Sequence, residues 1–174
     1  ATDLFISEYI EGSGNNKAIE IYNGTDHDIN LADYQISLYA NGASTATNTL
    51  SFTTEQILEK GGTLVIYNGQ ASTELKEKAN IANISIENNG VANFNGDDAI
   101  TLNKKDENGT YQVIDVFGVI GEREDWKVGS GSTKDNTLVR KASVISPTTT
   151  WDTSQWDVHP TDTFTDLGKH TFLP

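Results

Sequence analysis

The sequence predicts an all-β protein built as a sandwich or a barrel, and three observations carry that expectation. Asn-Gly occurs six times, at Asn23-Gly24, Asn41-Gly42, Asn68-Gly69, Asn89-Gly90, Asn95-Gly96 and Asn108-Gly109. This dipeptide suits turns with positive φ that join β-strands. Between the turns lie short runs rich in β-branched and aromatic residues, and several of them alternate apolar with polar positions.

The runs are Leu4–Ile10, Ala18–Tyr22, Tyr34–Ala40, Thr63–Tyr67, Ala99–Asn103 and Gln112–Ile120. In the third, Ile36 and Leu38 face one way while Gln35 and Ser37 face the other. In the fifth, Ile100 and Leu102 oppose Thr101 and Asn103. Period-2 patterning of this kind buries one face of a sheet. Val113-Ile114-Asp115-Val116-Phe117 is apolar on both sides, which predicts a central strand. A further strand is expected over Thr137–Arg140. One short helix is expected near residues 73–79, with Ser72 or Thr73 as its N-cap. From Ser143 to Thr163 the composition turns to Ser, Thr, Pro and Asp, punctuated by Trp151 and Trp156 with Phe164 close behind. This predicts an ordered, irregular C-terminal tail packed on the strands. Nothing divides the chain, so residues 1–174 are read as one domain.

Bulk properties narrow the function. The chain has 174 residues, ample for a core, and a formal net charge of −13. A field of that sign repels phosphate backbones, so direct nucleic-acid binding is not expected. With no Cys there is no disulfide framework and no thiolate metal site. No apolar run approaches the roughly 18 residues of a membrane span, so no membrane insertion is expected. The chain has no Met and begins at Ala1, as a processed or excised piece of a secreted protein would.

Several segments in order resemble a known family. They are Leu4-Phe5-Ile6-Ser7-Glu8-Tyr9, Glu11-Gly12-Ser13-Gly14-Asn15-Asn16-Lys17-Ala18-Ile19-Glu20-Ile21-Tyr22-Asn23 and Ile29-Asn30-Leu31-Ala32-Asp33-Tyr34. Gly61-Gly62-Thr63-Leu64-Val65-Ile66, Asn93-Phe94-Asn95-Gly96-Asp97-Asp98-Ala99-Ile100 and Val113-Ile114-Asp115-Val116-Phe117-Gly118 follow. Together they look like the lamin-tail domain in its bacterial, secreted form, which often accompanies extracellular nucleases. The ending from Trp156-Asp157-Val158-His159-Pro160 to Lys169-His170 is similar to the end of that form. The resemblance implies an immunoglobulin-like β-sandwich and no catalytic residues. It also implies an accessory or interaction domain of a larger secreted or surface-bound bacterial protein. Its partners would be other domains of the parent protein, or cell-surface and extracellular components.

Catalytic sets are not found. His27, His159 and His170 are tied to no carboxylate cluster by spacing, so a metal-dependent phosphodiesterase centre is not expected. Gly129-Ser130-Gly131-Ser132 fails both the nucleophile-elbow and the phosphate-loop patterns. Asp26, Asp28 and Asn30 have the spacing of the first EF-hand ligands, but Leu31 and Ser37 stand where Gly and Glu are needed.

The remaining candidates are metal ligands. One group is the loop read from Glu8 to Glu20, with Glu8, Glu11, Asn15 and Asn16 as oxygen donors. The other is Asp97 and Asp98, after Asn93 and Asn95. Hard cations take oxygens from such loops, and calcium is the candidate cofactor. The plainer reading is that these side chains shape their own turns. Asp115, inside an apolar strand, needs donors or a counter-charge, which Arg140 or Lys141 would supply. Trp126, Trp151 and Trp156 read as anchors of the tail rather than as a sugar-stacking platform. Three Asn-x-Ser/Thr sequons, at Asn23, Asn83 and Asn108, are read as turn composition. The competing functional reading is a calcium-stabilised binding module for carbohydrate or another extracellular ligand.

Overall fold

The computed structural model describes residues 1–52, 55–81 and 84–174. Asn83, the first residue of one sequon, lies outside the described residues. The strands run in order β1 (Phe5–Glu11), β2 (Lys17–Tyr22), β3 (Ile29–Asn30), β4 (Tyr34–Tyr39), β5 (Asn48–Ser51), β6 (Ile57–Leu58) and β7 (Thr63–Tyr67). After the helix α1 (Thr73–Ala79) come β8 (Ile84–Glu87), β9 (Ala99–Lys105), β10 (Tyr111–Phe117), β11 (Lys127–Val128), β12 (Gly131–Ser132), β13 (Thr137–Arg140) and β14 (Trp156–His159).

Two sheets face each other in an immunoglobulin-like β-sandwich. One has six strands in the order β14-β13-β1-β2-β7-β8, the other four in the order β10-β9-β4-β5. Between them lies an apolar core with Leu4, Ile6, Tyr9, Ile19, Ile21, Leu64 and Ile66 from the first sheet. Ile36, Leu38, Ile100, Leu102 and Phe117 come from the second. The ring of Tyr9 stacks on Phe94 and Phe117, with centroids 4.8 and 4.0 Å apart. Its hydroxyl donates to the carbonyl of Thr133 at 2.9 Å, so a buried aromatic keeps its polar end satisfied.

The outer face of the six-stranded sheet has a second, smaller cluster. Ile10, Ala18 and Val65 meet Leu75 and Ala79 of α1, and Phe164 and Leu167 of the C-terminal segment. That segment, residues 160–174, runs over the sheet as a strap. Helix α1 forms as expected, with the Ser72 hydroxyl accepting from the Leu75 amide. It connects β7 to β8, the parallel pair of this sheet.

A bulge in β1 sets which side chains face the strap. The register shifts between Ile6 and Glu8, so the inward positions Ile6 and Tyr9 are separated by two residues. Ser7 and Glu8 are both left on the outer face. A second bulge interrupts β10 between Val113 and Asp115.

Three expectations are corrected. The apolar run 113–117 is not central, since β10 ends the four-stranded order. Its outer side is closed by the following loop, where the Val116 amide donates to the Thr148 carbonyl. The tail is not wholly irregular, because Trp156–His159 pairs with β13 across four register positions. The six Asn-Gly steps are not all positive-φ turns: Gly42, Gly96 and Gly109 are, and Gly24, Gly69 and Gly90 are not. At two of the latter the Asn side chain organises the loop instead. Asn23 donates to the carbonyls of His27 and Leu58, and Asn68 to that of Ala92.

Candidate functional site

The proposed ligand residues are divided between β1, the loop after it and the loop before β9. Glu8 and Glu11 belong to β1 and Glu20 to β2, so the loop between the two strands spans only residues 12–16. Glu11 accepts from the Asp135 amide at 3.3 Å, and burial pushes its carboxyl up. The Asn15 side chain donates to Gln70 at 3.1 Å. Asn16 accepts from the Ser72 amide at 2.7 Å, tying the loop to the start of α1.

The second group also shapes its loop. Asp98 accepts from the amides of Asn41 and Asn95 at 2.8 and 2.9 Å, fastening the loop before β9 to the turn after β4. Asp97 pairs with Arg123 at 3.0 Å. Among the described residues, no three His, Asp or Glu side chains come together in an arrangement that could hold a metal ion. In the near-EF-hand stretch, Asp28 accepts from the Lys60 amide, Asn30 caps a short 3-10 turn, and Asp26 is exposed beside His27.

Asp115 is the best-satisfied charge in the interior. Arg140 grips it with two nitrogens at 2.7 and 3.2 Å, and the amides of Ile6 and Thr148 donate at 2.8 and 3.0 Å. Arg140 is itself 2% exposed and completes its set on the Ile6 carbonyl and Gln155. Of the two counter-ions expected from sequence, Arg140 is thus the partner. Lys141 pairs with Asp157 at the surface. This set joins β10 of one sheet to β1 and β13 of the other.

The three Trp residues are packed together. Trp151 and Trp156 meet Phe117 at 4.8 and 5.2 Å, and Trp126 lies 6.4 Å from Trp151. Trp126 and Trp156 are buried, which is the anchoring arrangement. Gly118 has φ +81, and a Cβ there would come within 2.6 Å of the Trp126 ring. Only glycine allows that approach. The three histidines stay apart in role: His27 is exposed, His159 is half-buried on β14, and His170 packs on Phe5 and Tyr22. Burial, with Arg140 nearby, lowers His170 to about 4.

The feature that sequence reasoning missed is a pairing. Glu8 and Glu20 stand directly opposite each other, 1% and 0% exposed. Glu20 accepts from the Ser7 hydroxyl at 2.6 Å and from the Gly168 amide of the strap at 2.8 Å. Among the described residues, neither carboxyl oxygen of Glu8 has a hydrogen-bond partner. A signal for the pairing is present in the sequence. Gly14 lies midway between residues 8 and 20, so a hairpin folded about it sets the two carboxyls side by side.

The lamin tail domain model matches residues 1–121 of this chain. The chain belongs to the lamin tail domain family. This lamin tail domain adds structure beyond the matched span: β13 and β14 extend its six-stranded sheet, and the strap covers that sheet's outer face. Comparison with curated proteins and with solved structures gave no match.

Proposed function

We propose that this lamin tail domain is a non-catalytic accessory domain of a larger secreted bacterial protein, a nuclease or related hydrolase. It positions or anchors the domain that does the chemistry, through contacts with that domain or with cell-surface and extracellular components. The observation that carries the reading is how its interior acids are used. Asp98 and Asp115 are consumed by backbone amides and Arg140, and so act as ties between elements, while Glu8 and Glu20 are shut away from solvent under the C-terminal strap. Catalytic acids and bases need a free face toward substrate. The negative surface argues further against a phosphate backbone as direct ligand.

The test compares the full-length parent protein with the same protein lacking this domain. Loss of surface or matrix attachment, or of domain arrangement by small-angle scattering, with turnover of small soluble substrates retained, is the expected result. Turnover of DNA or RNA by the isolated 174-residue chain with magnesium or manganese, surviving repurification, overturns the reading.

A further inference from the structure

Glu8 and Glu20 lie in a row of side chains that crosses the six-stranded sheet. The register continues from Glu8 to Val139 and Asp157, and from Glu20 to Val65 and Ser85. Directly paired residues project from the same face, with Cβ atoms about 5 Å apart. The row is covered by the strap and α1, where Phe164, Leu167, Leu75 and Ala79 pack beside it on Ile10, Ala18 and Val65.

The groups around the pair come from four elements, and the cavity at its Val139 edge adds Asp157, His159, Lys169 and His170. From β1 comes Ser7, from β7 Val65, from β13 Val139, and from the strap the Gly168 amide and a third acid, Asp166. Asp157, at the rim on β14, is paired with Lys141. Among the described residues, no Lys or Arg is within ion-pair distance of either glutamate. Two carboxylates side by side in a dry site cannot both stay ionised. Hard cations seek six or more oxygens, more than this pair and one hydroxyl bring. A proton is the neutralising species that fits.

We propose that the Glu8–Glu20 pair is a proton-held latch: while it keeps a proton the strap stays docked, and loss of that proton loosens the strap. Release uncovers the apolar strip that Phe164 and Leu167 cover, and frees Phe5 and Tyr22 from Phe172. The direction follows from linkage. Burial raises Glu20 from 4.5 to about 8, and raises Glu8 well above its usual value, with the charge of Glu20 adding to the effect. The docked state therefore holds the proton more tightly than the undocked one. Docking is complete below the ordinary glutamate range and weakens as pH rises toward 8, about tenfold per pH unit for one proton. His170 works in the opposite sense, but only between its ordinary value of 6.5 and about 4. The interval from pH 6.5 to 8 reports the glutamates.

The experiment uses the whole chain and amide hydrogen exchange by NMR at pH 6.5 and 8, corrected for intrinsic rates. Leu167 and Gly168 report the strap, and Ile19 reports global unfolding. Protection of the strap amides should fall about tenfold, through an opening that leaves Ile19 far better protected than the strap, and the fall should vanish in E20Q. Should E20Q fail to fold, carbon-detected titration of the Glu8 and Glu20 carboxyls in the wild type replaces it. Glu20 must then titrate near pH 8 together with the Gly168 amide. Unchanged wild-type protection, an E20Q that keeps the fall, or ordinary carboxyl titration overturns the latch. So does stabilisation of the strap at pH 8 by millimolar calcium chloride that E20Q abolishes, which would make the pair a cation site.

Discussion

Glu8 and Asp115 are both acids in the interior, both beside a bulge, yet they are treated in opposite ways. Asp115 has a guanidinium and two amides; Glu8 has, among the described residues, no donor on either oxygen. Asp115 lies where the two sheets are joined, within reach of Arg140 on β13. Glu8 lies on the outer face, where the covering strap brings another acid, Asp166. A buried charge with its full set of donors fixes geometry, whereas one without them makes geometry depend on protonation. The same contrast extends to Asp98, held by two amides, and to His170, whose ring nitrogens are both without partners among the described residues.

The sharpest way to break the contrast is to make Asp115 resemble Glu8. Arg140→Ala removes the counter-ion and leaves the carboxyl buried with two amides. Removal of one partner from a buried pair costs about 3–5 kcal/mol. Denaturant unfolding followed by Trp fluorescence should show a loss of that size. A loss under about 1 kcal/mol, within the range of exposed pairs, would mean that the grip on Asp115 contributes little. Next in size is Asp98→Ala, which frees the amides of Asn41 and Asn95 together. At about 1–2 kcal/mol for each charge-assisted bond, less what solvent returns, the melting temperature should drop by several degrees. The loop 93–98 should be the first region to exchange.

His170 gives the acid limb of the pH profile. Its folded value is lowered to about 4 from 6.5. A base that folds neutral costs stability once water would protonate it, so stability falls as pH drops from 6.5 through 4. The ring is partly open to solvent, so screening reduces the loss to about 1–2 kcal/mol. His170→Phe, which keeps the aromatic contact with Phe5 and Tyr22, should flatten this limb in melts at pH 4, 5 and 6.5. A wild-type profile already flat there would show that the imidazole stays hydrated.

Much of this was legible in the sequence where one residue states its own problem. Thr63–Tyr67, Thr137–Arg140 and the helix at 73–79 are read at their observed limits, because alternation, a cap and flanking turns agree. Asp115 announces itself as a lone acid in an apolar run, and its need for Arg140 follows. The two- to four-residue strands at 29–30, 48–51, 57–58, 84–87, 127–128 and 131–132 were not legible, since pairing rather than pattern creates them. Glu8 falls both in the strand run Leu4–Ile10 and in the ligand loop read from Glu8 to Glu20, and the structure keeps the first. Its importance was not legible, because it depends on Glu20 and a strap some 150 residues downstream. The Asn-Gly steps predicted turns correctly as breaks in the strands, but a buried Asn such as Asn23 uses its side chain where a positive-φ glycine was expected.

The smallest effect is the one that separates the two acids most finely. Ser7 Oγ donates to Glu20 at 2.6 Å and to no group of Asp115. A hydroxyl donor favours the ionised form of its acceptor, so it opposes the burial that raises Glu20. In Ser7→Ala that opposition is gone, and Glu20 should titrate higher still. While Glu20 keeps its proton the cost should be that of one hydrogen bond, about 1 kcal/mol. Above its titration the ionised carboxylate lacks one charge-assisted donor, and the cost should grow. The gap between wild type and Ser7→Ala in denaturant unfolding should therefore be wider at pH 9 than at pH 6. Burial raises Asp115 as well, but Arg140 and the amides of Thr148 and Ile6 oppose that rise. Equal gaps for Ser7→Ala at both pH values would mean that Glu20 does not change charge between them, and the two interior acids would then differ in their bonds but not in their behaviour.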